Sequence, residues 1–187
     1  MSKKAKRITI TLWRSGLIIG ISLIALSCAG VKAGSTKSGK NLYQTFYVGD
    51  EGTQYFIKPL KLATDPEGYL ALDATFRYKD EVKDSATINI SFVTGETYKS
   101  IDSLKIENGD NAISAKEMKL VFVEREKTLY ESRFFTKIAL LEFKTLFKKN
   151  NWKIGLYKNG TATTYFTAAK KTRKKIDKLN YEIFELF

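Results

Sequence analysis

"YLALDATFRY" (residues 69–78) alternates without a break: Leu70, Leu72, Ala74, Phe76 and Tyr78 share one face, and Ala71, Asp73, Thr75 and Arg77 share the other. A period of two, apolar on one side and mixed on the other, is a half-buried strand of an antiparallel sheet. The pattern recurs on both sides of it. "TINISFV" (87–93) turns Ile88, Ile90 and Phe92 inward, and "WKIGLYK" (152–158) does the same with Trp152, Ile154 and Leu156. Turn signals fall between such runs at Asp65-Pro66-Glu67-Gly68, Thr94-Gly95-Glu96, Glu107-Asn108-Gly109-Asp110 and Asn159-Gly160, the last being the clearest hairpin signal. Strands are therefore predicted near 43–48, 54–62, 69–78, 86–94, 97–106, 118–125, 132–139, 152–158 and 161–167. About nine short strands with local turns make the domain mainly β, an antiparallel sandwich or partly open barrel. Two helices are predicted beside it. Residues 140–150 put Phe143, Leu146 and Phe147 on one side, and an amphipathic C-terminal helix over 168–186 carries Ile176, Leu179, Ile183 and Leu186 at helical spacing. That last helix is expected to pack on the sheet or to cover an open edge.

The other end of the chain follows different rules. Lys3, Lys4, Lys6, Arg7 and Arg14 precede an apolar run from Gly16 to Leu26, and small residues follow around Cys28. Basic, apolar, small is the order of a secretion signal, here residues 1–27. A membrane-spanning helix needs about 20 apolar residues. Extending the run backwards would bury Arg14 at roughly 2.5–3.5 kcal/mol.

Cys28 is the only cysteine in the chain. "ALSC" (25–28) resembles the lipobox of bacterial lipoproteins, with Ala25 where that family usually has an aliphatic residue; relaxed boxes of this kind are similar to those of spirochaetal lipoproteins. The resemblance implies that the sulfur of Cys28 receives a diacylglycerol, that the chain is cut just before it, and that the new amino terminus is acylated. A thiolate is nucleophilic enough near neutral pH to form such a thioether, which Ser27 is not. Two or three acyl chains give a stable anchor where one gives marginal binding. Ala29 stands where inner-membrane retention in enteric bacteria uses aspartate, so the resemblance implies the outer membrane rather than the inner one.

Residues 29–41, "AGVKAGSTKSGKN", have no apolar period and read as a flexible tether holding the domain roughly 20 Å from the bilayer on average. Residues 42–187 are expected to form a single β-rich domain. Without the leader the chain keeps 27 basic against 20 acidic residues. Such a surface favours anionic lipid, acidic polysaccharide or acidic proteins without specifying one. Lysine outnumbers arginine 26 to 6, and since arginine is the better bidentate reader of phosphate, no nucleic-acid partner is expected. There is no histidine. That excludes histidine triads, histidine general bases and the usual histidine-based metal sites. With Cys28 lipidated, no thiol is left for a disulfide or a metal, and the only non-protein group implied is that covalent lipid.

The densest charge run is "KKTRKK" (170–175): Lys170, Lys171, Arg173, Lys174 and Lys175. Cations in the first turns of a helix oppose its dipole by a few tenths of a kcal/mol each. The run reads first as a solvated helix face and second as a patch for anionic polymer or lipid headgroups. Asp50-Glu51, Asp65 with Glu67, and Asp80-Glu81 are paired carboxylates of the kind that serve glycosidases, but turns favour aspartate for backbone reasons alone. No serine has a lysine three residues later, and no G-x-S-x-G, P-loop or dinucleotide fingerprint occurs. The expectation is a lipid-anchored envelope lipoprotein acting as a non-catalytic binding or structural module. The alternative is a surface adhesin that binds an anionic polymer or a host component through residues 170–175. A carboxylate-based envelope hydrolase ranks third.

Overall fold

The computed structural model describes residues 42–64, 68–79 and 85–186. The leader, Cys28, the tether and the turn carboxylates Asp65, Glu67, Asp80 and Glu81 lie outside the described residues. The rest is mostly strand, a curled and open antiparallel sheet with the form of a half-barrel. Its strands are β1 (Tyr43–Tyr47), β2 (Thr53–Ala63), β3 (Gly68–Tyr78), β4 (Ser85–Thr94), β5 (Ser103–Glu107), β6 (Ala112–Lys116), β7 (Lys119–Glu126), β8 (Leu129–Ala139), β9 (Lys153–Lys158) and β10 (Thr161–Thr167). Nine of them follow the order β6-β5-β9-β10-β2-β3-β4-β8-β7, and β1 adds to β2.

Two walls make up this sheet. The larger holds β1, β2, β3, β4, β8 and β7, and the smaller holds β6, β5, β9 and β10. Among the described residues the ladder between them is a single pair, Thr167 with Ala63, and at the other side the Thr136 hydroxyl of β8 donates to Lys116 O of β6 at 2.9 Å. The alternation read in the sequence sets the concave face of the larger wall: Leu70, Leu72, Ala74 and Phe76 of β3, Ile88, Ile90 and Phe92 of β4, and Phe134 and Ile138 of β8 are all buried. The convex face carries polar pairs instead. There Arg133 donates to Asp73 and to Ser91, each at 2.8 Å, and Asn89 donates to Asp73 at 2.7 Å.

β2 breaks register between Ile57 and Leu60, at Pro59. The break falls where the edge is free: β1 ends opposite Ile57, and β10 pairs only at Ala63. Proline, with no N–H for a ladder, suits such a position. The gap is covered by α2 (Lys170–Glu182), whose Thr172 hydroxyl donates to the Lys61 carbonyl at 2.5 Å. Ile176 and Leu179 of α2 are fully buried, so the terminal helix meets the expectation of packing on the sheet.

Four expectations are corrected. Residues 97–106 are not one strand; 95–102 form a loop and β5 starts only at Ser103. β6 is an additional strand, the second arm of the hairpin turned at Asn108-Gly109. The helix expected over 140–150 is shorter, α1 (Leu140–Leu146). Its last carbonyl, Leu146 O, accepts from Trp152 Nε1 at 2.8 Å and Asn108 Nδ2 at 2.9 Å, partners from outside the helix that replace its continuation. Finally, Leu186 is exposed, because α2 stops at Glu182 and a short 3-10 turn (Phe184–Leu186) rotates Phe184 inward instead.

That rotation completes the closure of one end of the trough. Phe184 stacks on Phe147 at 4.1 Å and lies 5.9 Å from Phe143 and 5.6 Å from Phe76, while Trp152 meets Phe147 edge-on at 4.8 Å. At the opposite end the described residues form no such plug.

Candidate functional site

The chain must cross the trough between β4, in the larger wall, and β5, in the smaller one. Residues 95–102 are that crossing. Thr94 begins it by bending the backbone on itself: its hydroxyl donates to Glu96 O at 2.9 Å and accepts from Glu96 N at 3.4 Å. Tyr98 then inserts half-buried into the mouth. Its backbone N–H donates to the Ser132 hydroxyl of β8 at 2.9 Å, its ring lies 5.6 Å from Phe92, and its hydroxyl is 3.3 Å from that of Thr164 in β10. Ile101 is buried beyond it, and Asp102 finishes the crossing with its N–H on Tyr157 O (3.1 Å) and its carboxylate on Asn159 N–H (2.5 Å). The crossing is thus a strap held by both walls.

A cleft of about 820 Å³ lies between this strap, the β9–β10 hairpin, Thr64 and Leu129. That is within the size range of small-molecule sites, and the mouths of barrels are among their usual places. Ile101, Leu129 and Leu156 give it apolar surface, while Thr64, Thr94, Thr97, Ser100, Thr163 and Thr164 turn it into a hydroxyl-rich groove together with Tyr98 and Tyr157. Lys99 and Lys158 add positive charge, and Glu96 is the one carboxylate among its described lining residues. β10 slips register between Ala162 and Thr164, placing the bulge residue Thr163 at this wall. Bulges re-aim side chains next to binding sites. Hydroxyls both donate and accept, so the groove can hold polar ligands against an apolar floor.

Three phenols are shifted. Burial pushes Tyr157 up, helped by its hydrogen bond to Tyr165. Burial also raises Tyr69, with the Glu126 carboxylate beside it adding to the effect, and raises Tyr55, with Tyr43 and Tyr78 as neighbours. In each case the neutral phenol is favoured.

The basic run opens α2, away from the cleft. Lys170, Lys171, Arg173 and Lys174 are exposed and Lys175 is half-buried. Thr172 points inward to Lys61, and Arg173 Nε donates to Ala168 O at 2.8 Å. The structure thus gathers the four exposed cations on the outer side of the helix. Among the tyrosines, Tyr43 is in the core, Tyr157 lines the cleft, and Tyr47 and Tyr165 are exposed. Of the turn carboxylates, Asp50 and Glu51 occupy a 3-10 turn (Gly49–Glu51), and Glu51 pairs with Arg77.

Sequence reasoning misses the cleft altogether. Its lining comes from residues 64, 94–101, 129, 156–158 and 163–164, brought together by pairings across 34 and 66 residues such as Tyr98 with Ser132 and Thr164. The available local signal is the hydroxyl-dense "NGTATT" (159–164) opposite "TGETYKS" (94–100). No protein-family model, curated protein or solved structure matches the chain significantly.

Proposed function

We propose that this chain is a lipid-anchored lipoprotein of the bacterial cell envelope whose β-rich domain is a non-catalytic binding module, with the strapped cleft as its contact site. One observation carries the reading: the sole cysteine, Cys28, stands where an apolar run gives way to small residues, just ahead of a tether-like stretch. The hydroxyl-rich groove at the mouth supports binding as the domain's task, since its groups hold a ligand by hydrogen bonds and apolar contact. The lipid fixes the domain at a membrane, the outer one on this reading, and the tether lets it search. Intact-mass analysis of native protein tests the anchor. The expected species begins at Cys28 and carries fatty acyl mass, and Cys28→Ser leaves the unprocessed precursor. A mature chain that keeps its leader, or starts elsewhere without acyl mass, sinks the reading. Protease accessibility on intact cells then separates a surface-displayed domain from a periplasmic one.

A second reading is favoured by the exposure of Lys170, Lys171, Arg173 and Lys174 on one side of α2. On that reading the protein is an adhesin for an anionic polymer or a host component. Its binding to a heparin-like polymer falls with added salt and with replacement of Lys170, Lys171, Arg173, Lys174 and Lys175 by glutamine. Binding untouched by either change removes it.

A further inference from the structure

The largest run of exposed apolar side chains on the described surface is at the tip of the β1–β2 hairpin. Tyr47 is 79% exposed, and Phe46, Val48 and Phe56 are each more than a third exposed. Phe46 and Phe56 meet edge-on at 5.4 Å on one face of the hairpin, and Tyr47 projects from the other. The tip is built to stay formed. Gly52 holds a φ of 89°, and a Cβ there would lie 2.3 Å from Tyr78 O, so only glycine lets the hairpin close against β3. Aromatic side chains kept in water on a rigid protrusion are costly unless something covers them.

We propose that this tip docks on the surface of a zwitterionic lipid bilayer, seating the domain with its cleft pointing away from the membrane. The inference rests on the lipid-anchor reading, which supplies the proximity. β1 begins at Tyr43, directly after the tether. If residues 29–41 are the tether their composition suggests, they span roughly 20 Å, and the five residues of β1 add roughly 15 Å, which puts the tip within reach of the bilayer that holds Cys28. Tyrosine settles at the headgroup level, and phenylalanine is among the residues that interfacial segments bury at the headgroup and acyl boundary. Asp50 and Glu51 sit in the same turn, Glu51 pairs with Arg77, and the exposed Lys79 lies beside Gly52, so the described tip carries balanced charge and suits a surface without net charge. The orientation follows from β2. Its eleven residues run from the tip at Thr53 to Ala63 beside the cleft, a separation of roughly 35 Å.

Tyr47→Trp places a reporter at the tip of the full chain, produced with its processing intact. Trp152, buried at the plugged end, is the internal reference. On addition of phosphatidylcholine vesicles the indole at position 47 shifts its emission to the blue and is quenched by brominated acyl chains, while the parent chain, reporting Trp152, shows neither change. An acylated chain whose position-47 indole stays unshifted and unquenched overturns the docking and leaves the anchor standing. A chain without acyl mass removes the anchor; because such a chain can keep its leader and the indole of Trp13, Trp13→Phe is added and excess vesicles then decide the tip by itself, a shift supporting docking and no shift ending it. A blue shift that grows with protein concentration in the absence of vesicles assigns the tip to a second copy and also overturns the proposal.

Discussion

The two ends of the trough are closed by different means. At one, Phe76, Phe143, Phe147, Trp152 and Phe184 meet ring to ring, and the polar groups among them are fully used: Trp152 Nε1 and Asn108 Nδ2 take the last carbonyls of α1. At the other, the strap spans the gap with one half-buried ring, Tyr98, its two hydroxyl contacts, the buried Ile101 and the two hydrogen bonds of Asp102. Aromatic burial of the first kind dominates stability, while a few neutral hydrogen bonds contribute about 1 kcal/mol each. The comparison separates the part of the domain that keeps it folded from the part that leaves the cleft open.

The sharpest way to break this contrast is a pair of truncations read by chemical denaturation. Phe184→Ala removes a fully buried ring and is expected to cost about 3–5 kcal/mol, whereas Tyr98→Ala costs about 1–2 kcal/mol, because its ring is half in water. Equal losses would show that the strap is as structural as the plug. Next in size, Trp152→Phe keeps one ring against Phe147 but deletes the second ring of the indole together with its N–H, the donor to Leu146 O and Lys149 O. The expected loss is about 2–3 kcal/mol, from the cavity and the lost hydrogen bonds together; a neutral result would mean that neighbouring side chains refill the site and that Asn108 alone satisfies the end of α1. Ser132→Ala, at about 1 kcal/mol, removes the acceptor of the Tyr98 amide. Hydrogen exchange should then speed up across residues 95–101 while β3 and β4 keep their protection. Uniform acceleration would contradict a locally held strap.

The smallest effect is a titration. Tyr55, Tyr69 and Tyr157 all have their phenol pKa raised on folding, chiefly by burial. Folding therefore favours the protonated form. Its contribution is present in full below the ordinary value of about 10 and is lost as pH rises through the higher folded values. Phenolate absorbance should show a late alkaline phase that disappears in denaturant, with stability falling over the same interval. One phase at the ordinary value, unchanged by unfolding, would refute it.

How much of this was legible in the sequence follows from the range of the interactions. β3 and β4 are read correctly because their period of two is set by a core contiguous with both, and Leu70, Leu72, Ile88 and Ile90 are all at zero exposure. The Asn159-Gly160 hairpin is read because both residues take positive φ, 51° and 74°, which this pair tolerates locally. β6 escaped because only Ile113 and Ala115 of its five residues face inward, too little pattern for a strand. The merger of 97–106 has a clearer cause. Tyr98, Leu104 and Ile106 fall on one parity, as in a continuous strand, yet Tyr98 is committed to Ser132 and Thr164. Long-range partners leave no local trace, and the cleft is made from them.

The pairing of β5 with β9 sets a timetable for folding. Leu104 lies opposite Leu156, 52 positions later in the chain. Contacts of such separation form slowly, because the intervening segment must be ordered before they repay its entropy. The β5–β9 ladder therefore waits for the chain to reach Lys153, and a truncation before Lys153 would deprive β5 of the one strand besides β6 with which it pairs among the described residues. The mouth of the trough cannot take its shape before that pairing, and the plug, whose Phe184 meets Phe76 across 108 positions, cannot close before the chain is longer still.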